Sequence, residues 1–166
     1  HDFSIDYDVG FDDSGRIHGV VLRFAARCGM SADLSGAVND RCMFHSDNAY
    51  YLPHVSITSY RCKTNTVSNT AFRGFGGPQG MVGIERVIDA IATNLGMDPL
   101  AVRKINLYGR QERNITPYGM KVNDNVLEAL IEELEAQSGY TERRRAIAAF
   151  NRHSPVIRRG IALTPA

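Results

Sequence analysis

Cysteine is scarce in this sequence, long hydrophobic runs are missing, and neither sign of charge dominates. Three cysteines, Cys28, Cys42 and Cys62, are odd in number and far apart, which fits a reducing, cytoplasmic setting better than a disulfide framework. None belongs to a Cys-x-x-Cys pair, so this chain alone builds neither a zinc ribbon nor an iron–sulfur site. No stretch reaches the roughly 18 apolar residues of a membrane helix, and the first residues are polar and charged, which argues against a membrane span and a signal peptide. A net charge of +1 lacks the basic excess that phosphate contacts demand, which argues against a nucleic-acid partner. The one dense basic cluster, Arg143, Arg144 and Arg145, lies near Glu132, Glu133, Glu135 and Glu142 and reads as a solvated helix face. An initiator methionine is also missing. The chain opens at His1 and enters a strand-like pattern at once, as expected of an excised fragment.

What is present suffices for one core: 166 residues, 43% of them hydrophobic, are enough for a single domain and too few for two comfortable ones. Apolar and polar residues alternate from Phe3 to Val9 and again from Val20 to Ala26 around Asp12-Asp13-Ser14-Gly15, which is a hairpin pattern. Leu34, Ala37, Val38 and Cys42 recur at helical spacing over 33–45, with Ser31 or Asp33 as the candidate cap and Arg41 near the end. Residues 50–66 read as extended, broken at Pro53. A strong helix follows with Met81, Ile84, Val87, Ile88, Ile91 and Leu95 on one face and Gly96 closing it. Asp98-Pro99 opens the next helix, expected to reach Gly109. Thr116 to Gly119 forms a turn, Asp124 is the expected cap of a helix ending at Gly139, and Thr141-Glu142 opens another. Val156 to Leu163 returns to a strand pattern.

Residues 70–80, Thr-Ala-Phe-Arg-Gly-Phe-Gly-Gly-Pro-Gln-Gly, form the stretch where chemistry concentrates. Four glycines flank Arg73 and Phe75, and Gly77-Pro78 reads as a helix start. Free amides at such an end suit an anion or oxyanion. The common phosphate loops do not fit: Gly80 is followed by Met81 and Val82 instead of Lys and Ser or Thr, and Gln79 stands where a dinucleotide fingerprint needs its third glycine. A tight turn packed on its own helix remains the plain alternative. No nucleophilic triad is visible. A calcium loop starting at Asp6 fails because Ile17 takes the place of its glutamate. His45 and Asp47 find no third metal ligand and read as satisfied polar residues, and Asn114-Ile115-Thr116 reads as a chance sequon.

Residues 68–80 resemble the signature of the large, molybdopterin-binding chain of the xanthine dehydrogenase family, and the likeness extends to Arg41–Tyr50, to Cys62-Lys63-Thr64-Asn65 and to Val102–Tyr108. The resemblance implies an α+β fold of antiparallel strands packed with several helices, residues 1–166 being a single fragment of one molybdopterin-binding domain, incomplete at both ends. It implies that Arg73 lies beside a molybdenum–molybdopterin cofactor, that Phe75 stacks on a purine substrate and that Arg41 pairs with a polar edge of that purine. The implied reaction hydroxylates hypoxanthine and xanthine to urate with oxygen from water, electrons leaving through 2Fe-2S clusters and FAD to NAD in other domains or subunits. Arg41 favours this over an aldehyde oxidase-type relative; a noncatalytic scaffold domain is the reading from another class. The family's general-base glutamate, and a second substrate-contacting glutamate, lie in glycine-rich motifs that this sequence does not contain. No residue here is therefore assigned a catalytic role or a metal bond, and the isolated fragment is expected to show no turnover. Strands at the two ends without sheet partners leave homo-oligomerisation open.

Overall fold

The computed structural model describes residues 1–165. Alternation of apolar and polar residues builds β1 (Phe3–Phe11) and β2 (Ile17–Gly29), paired antiparallel from Phe3↔Ala26 to Val9↔Val20. The connecting turn is held by Asp12, whose Oδ1 accepts from the backbone amides of Ser14 at 2.9 Å and Arg16 at 3.2 Å. Hydrogen bonds from Ser14 and then His18 hold this carboxyl well below the usual carboxylate range. β3 (Val55–Lys63) completes a sheet of order β1-β2-β3.

The α+β expectation holds, but antiparallel pairing describes only half of the sheet: β3 runs parallel to β2, from Val20↔Val55 to Gly29↔Lys63. The cause is α1 (Ser35–Phe44), which lies between the two strands in sequence and carries the chain back to the end where β2 began. One sheet face carries Ile5, Leu22, Phe24, Ile57 and Ser59 in register and is covered by helices. There α1 meets β3, with Ser59 Oγ donating to Asn39 Oδ1 at 2.5 Å. α2 (Gly77–Leu95) crosses Ile5 and Phe24 at Gly83, where a Cβ would lie 3.1 Å from the Phe24 ring. The other face stays polar, with ion pairs Arg23–Asp8 at 2.9 Å and Arg27–Asp2 at 2.5 Å.

α3 (Pro99–Asn106) starts as expected, the Asp98 side chain accepting from the Leu100 amide, and stops at Asn106, three residues short of Gly109. Its carboxamide explains the stop. Asn106 is fully buried, accepts from the Ile17 amide at 2.9 Å and donates to the Gly15 carbonyl at 2.8 Å, which ties the helix end to the β1–β2 turn. α4 (Leu127–Ser138) and α5 (Tyr140–His153) follow, separated by Gly139 in the left-handed conformation.

Two expected caps move. Leu34 precedes α1 without a side-chain bond, while Ser31 pairs with the Ser68 hydroxyl. Asn125 accepts from the Leu127 amide at 3.0 Å, replacing Asp124 at the start of α4. The strand expected at 156–163 is not formed. Ile161 and Leu163 pack against the core and the Pro165 carbonyl accepts from Asn48 at 3.1 Å, so the alternating residues anchor a strap on the helices instead of joining a ladder.

Behind the apolar core lies a polar hub. Arg103, 2% exposed, donates to Glu85 at 2.9 Å and to Asp89 at 3.0 Å, and the Tyr50 hydroxyl donates to Glu85 at 2.5 Å. Burial alone would lower the Arg103 pKa; Glu85, then Tyr50 and Asp89, outweighs it and holds the guanidinium above its ordinary value. Burial, then the Glu85 charge, pushes the Tyr50 phenol up. Near the end of α1, buried Asp47 accepts from the Tyr108 hydroxyl at 2.5 Å, yet burial still raises its pKa.

Removing Arg103 strands two carboxylates, so Arg103→Ala is expected to lower unfolding free energy in urea by about 3 kcal/mol. Arg23→Ala, which breaks only a solvent-exposed pair, is expected to cost less than about 1 kcal/mol, and equal losses would deny the hub its role. Because the folded-state pKa of Asp47 lies above its unfolded value, its contribution is greatest at acid pH and is lost as pH rises through the raised value. Asp47→Asn should flatten that part of the stability profile, measured as urea midpoints from about pH 4 upward.

Candidate functional site

The loop ahead of α2 is strapped to the end of β2 before it turns. The amides of Thr64 and Asn69 donate to the carbonyls of Gly29 and Cys28, each at 3.0 Å, and Met30 donates to Thr66 at 3.0 Å. Gly29 permits this approach: its φ is +82°, and a Cβ there would sit 2.3 Å from the Val67 carbonyl oxygen. The chain then turns through three successive residues with positive φ, Gly74 at 95°, Phe75 at 51° and Gly76 at 93°. A phenylalanine in this region is uncommon and costs on the order of 1 kcal/mol or more, so the surrounding turn must hold it. The Phe75 amide donates to the Phe72 carbonyl at 2.9 Å, and Gly77 to Gly74 at 2.9 Å.

α2 then enters against α1 at backbone distance. A Cβ on Gly76 would lie 1.9 Å from the Val38 carbonyl oxygen, and one on Gly80 would lie 2.2 Å from that of Cys42. Arg41 and His45, one turn apart at the end of α1, reach over the same helix start. A Cβ on Gly77 would lie 3.6 Å from Arg41 Nε and 2.9 Å from His45 Cδ2. The fold thus brings Arg41, from the earlier helix, onto the glycine loop, while Arg73 and Phe75 sit on the loop itself. Arg41 and Arg73 are exposed, Phe75 is half-buried, and neither guanidinium has an ion pair or hydrogen bond among the described residues.

This geometry changes how the loop can recognise a ligand. The Phe75 and Gly77 amides are spent inside the turn and Pro78 has none, while the amides of Gly74, Gly76 and Gln79 have no backbone acceptor among the described residues, so backbone and side chains can both serve recognition. One residue departs from its sequence reading as a satisfied polar group, and another was passed over. Asp47 is satisfied as expected, but the His45 ring has no hydrogen-bond partner among the described residues. Gln79 Oε1 is buried in the first turn of α2 with no donor among the described residues; a lone carboxamide among the glycines, proline and apolar residues of the first two turns was the available cue. Phe72 and Val67 stand 85% and 81% exposed, leaving the outer side of the loop uncovered. A hollow of about 530 Å³ lies elsewhere, over Gly10 and Gly19 on the polar sheet face, and contains none of these groups. The candidate site is an open wall.

Residues 1–107, from β1 through α3, match the molybdopterin cofactor-binding domain family, and the chain belongs to that family. Among curated proteins, it is 41% identical over 165 residues to xanthine dehydrogenase of Dictyostelium discoideum and to xanthine dehydrogenase/oxidase of Gallus gallus, covering 99% of this chain and 12% of each relative. Nicotinate hydroxylase of Emericella nidulans is 38% identical, with the same coverage. The chain therefore spans about an eighth of the length of these proteins. Among solved structures, quinoline 2-oxidoreductase from Pseudomonas putida 86 matches with a TM-score of 0.77 at 22% identity, over 91% of this chain and 20% of that one. Carbon monoxide dehydrogenase from Oligotropha carboxidovorans matches with a TM-score of 0.79 at 20% identity, over 91% and 19%. These two similarities establish the shared fold. No helix among the described residues is long and apolar enough to cross a membrane.

The α1–α2 contact leaves no space for a methyl group. Gly76→Ala and Gly80→Ala are each expected to lower stability by about 3 kcal/mol, Gly76→Ala adding backbone strain to overpacking. Gly36→Ala, where nothing lies within 4 Å of a built Cβ, should be neutral or better; thermal denaturation of the three variants tests the ranking.

Proposed function

We propose that this chain supplies one wall of the cofactor and substrate site of a xanthine dehydrogenase, which hydroxylates hypoxanthine and xanthine to urate in purine catabolism. On this reading residues 1–166 form part of one molybdopterin-binding domain of a cytoplasmic enzyme, completed by segments elsewhere. Electrons leave through 2Fe-2S clusters and FAD to NAD in other domains or subunits. The observation that carries the reading is the placement of Arg41: a cation from α1 reaches over the start of α2, beside the loop that bears Phe75. The identity to proteins named xanthine dehydrogenases supports it.

The residues present fit a molybdopterin. Arg73 offers an exposed guanidinium to the oxygen-rich cofactor, and the buried Gln79 Oε1 awaits a donor of the kind that pterin N–H groups provide. When bound, the molybdenum cofactor supplies the oxygen-transfer and two-electron chemistry. This chain's residues bind and orient. The half-buried Phe75 ring holds a flat heterocycle by offset stacking. The Arg41 guanidinium donates to a ring carbonyl and stabilises negative charge that builds on the ring as the reaction proceeds. No carboxylate of the described wall takes the base role, which falls to a glutamate outside this sequence.

A scaffold reading has one observation in its favour, the internal use of the Phe75 and Gly77 amides. Kinetics of the full-length enzyme separate the two. Arg41→Ala is expected to lower kcat/KM for xanthine about 10- to 100-fold, the value of a charge-assisted hydrogen bond. Phe75→Ala should lower it about tenfold. Molybdenum content should be retained in both. Unchanged kinetics would favour the scaffold, and a preference of the unsubstituted enzyme for aldehydes over xanthine would favour the aldehyde oxidase-type alternative.

A further inference from the structure

We propose that His45 is a positioning residue for Arg41, its imidazole seated in the gap left by Gly77 so that the guanidinium is confined to one orientation over the site. Gly77 supplies the reason. It is the first residue of α2, and unlike Gly74 and Gly76 it has no positive φ, so its backbone conformation is open to any residue. A glycine here is not required by a left-handed conformation, which leaves space as the purpose of this one. The occupant of that space is the His45 ring, with Cδ2 at 2.9 Å and Nε2 at 3.6 Å from where a Cβ would be. Gly80, the next glycine on this face, makes room for the backbone of α1 instead.

The same point in space lies 3.6 Å from Arg41 Nε, so imidazole and guanidinium both bear on Gly77. They share one face of α1, being four residues apart, and the His45 amide donates to the Arg41 carbonyl at 3.1 Å, fixing the turn between them. No hydrogen bond holds either side-chain head among the described residues, so on this proposal their shared packing over Gly77 does the holding. A long arginine side chain left free would spread over several rotamers and lose that entropy on binding. A ring wedged beside it removes most of the alternatives beforehand.

The proposal rests on the purine-recognition reading of Arg41, and a double-mutant cycle in the full-length enzyme separates the two. Purine affinity is read in two ways, as KM for xanthine and by calorimetric titration with a purine. His45→Ala is expected to weaken both about tenfold, with a smaller change in kcat, and to weaken them less than twofold further in an Arg41→Ala background. His45→Phe, which keeps a planar ring in the gap, should recover most of the loss. Gly77→Ala, which displaces the ring from the opposite side, should reproduce it in protein whose molybdenum content is normal. Losses that multiply across the two sites, or no loss in His45→Ala, would overturn the positioning role while leaving Arg41 as the recognition group. No effect of Arg41→Ala on either measure would overturn the reading beneath it, and the positioning role with it.

Discussion

The approach of two backbones governs this molecule. Where α2 begins, the carbonyl oxygens of Val38 and Cys42 occupy the space that side chains on Gly76 and Gly80 would need, so helix meets helix with nothing between. This contact sets the height of the glycine loop above α1 and aligns the end of α1 with the start of α2. It also seals Cys42 inside, where burial pushes the thiol up to about 12 and leaves it inert. Farther along α2, Glu85 and Asp89 hold Arg103 and through it α3, while Tyr50 and Asn48 join from the segment after α1. One helix is thereby fixed by glycine at its first turns and by charge at its middle.

Much of this was legible in the sequence because each cue acts locally. Period-two alternation built the hairpin, and the Gly-Pro start with a Gly96 stop bounded α2. Asp98-Pro99 likewise opened α3. What escaped depended on distant partners. Alternation tells which face of a strand is buried but carries no direction, and the direction of β3 is set by α1 lying between it and β2. The tail from Val156 shows the same ambiguity: apolar residues spaced for a ladder serve equally well as pegs for a strap. Asp124 and Asn125 were indistinguishable as caps until the chain chose which side chain faced the Leu127 amide. His45 is the sharpest case, since the glycine that accommodates it stands 32 positions later.

Legibility of the site divides along the same line. The loop announced itself by composition, but which of its amides are spent could not be read there: those of Phe75 and Gly77 close the turn, and those of Gly74, Gly76 and Gln79 do not. Two exposed guanidinia, without an ion pair among the described residues, and a half-buried ring stand at this loop. A segment that spans about an eighth of its relatives' length is expected to look like this: internally satisfied where it folds on itself, and polar or apolar without complement elsewhere on its surface. The uncovered Phe72 and Val67 belong to the same outward surface.

The parallel pairing of β2 with β3 has a consequence for the order of assembly. The hairpin of β1 and β2 closes a short turn, whereas β3 must wait until α1 and its flanking loops have been gathered in, and closing a longer loop costs more entropy before any contact rewards it. The loop carrying Arg73 and Phe75 hangs from the far end of β3 and is secured by bonds to the last residues of β2. Its three consecutive residues of positive φ acquire their final shape only after the sheet beneath them exists. In this chain the glycine loop depends on the pairing of longest closure, so a newly made copy is expected to acquire its hairpin before this loop.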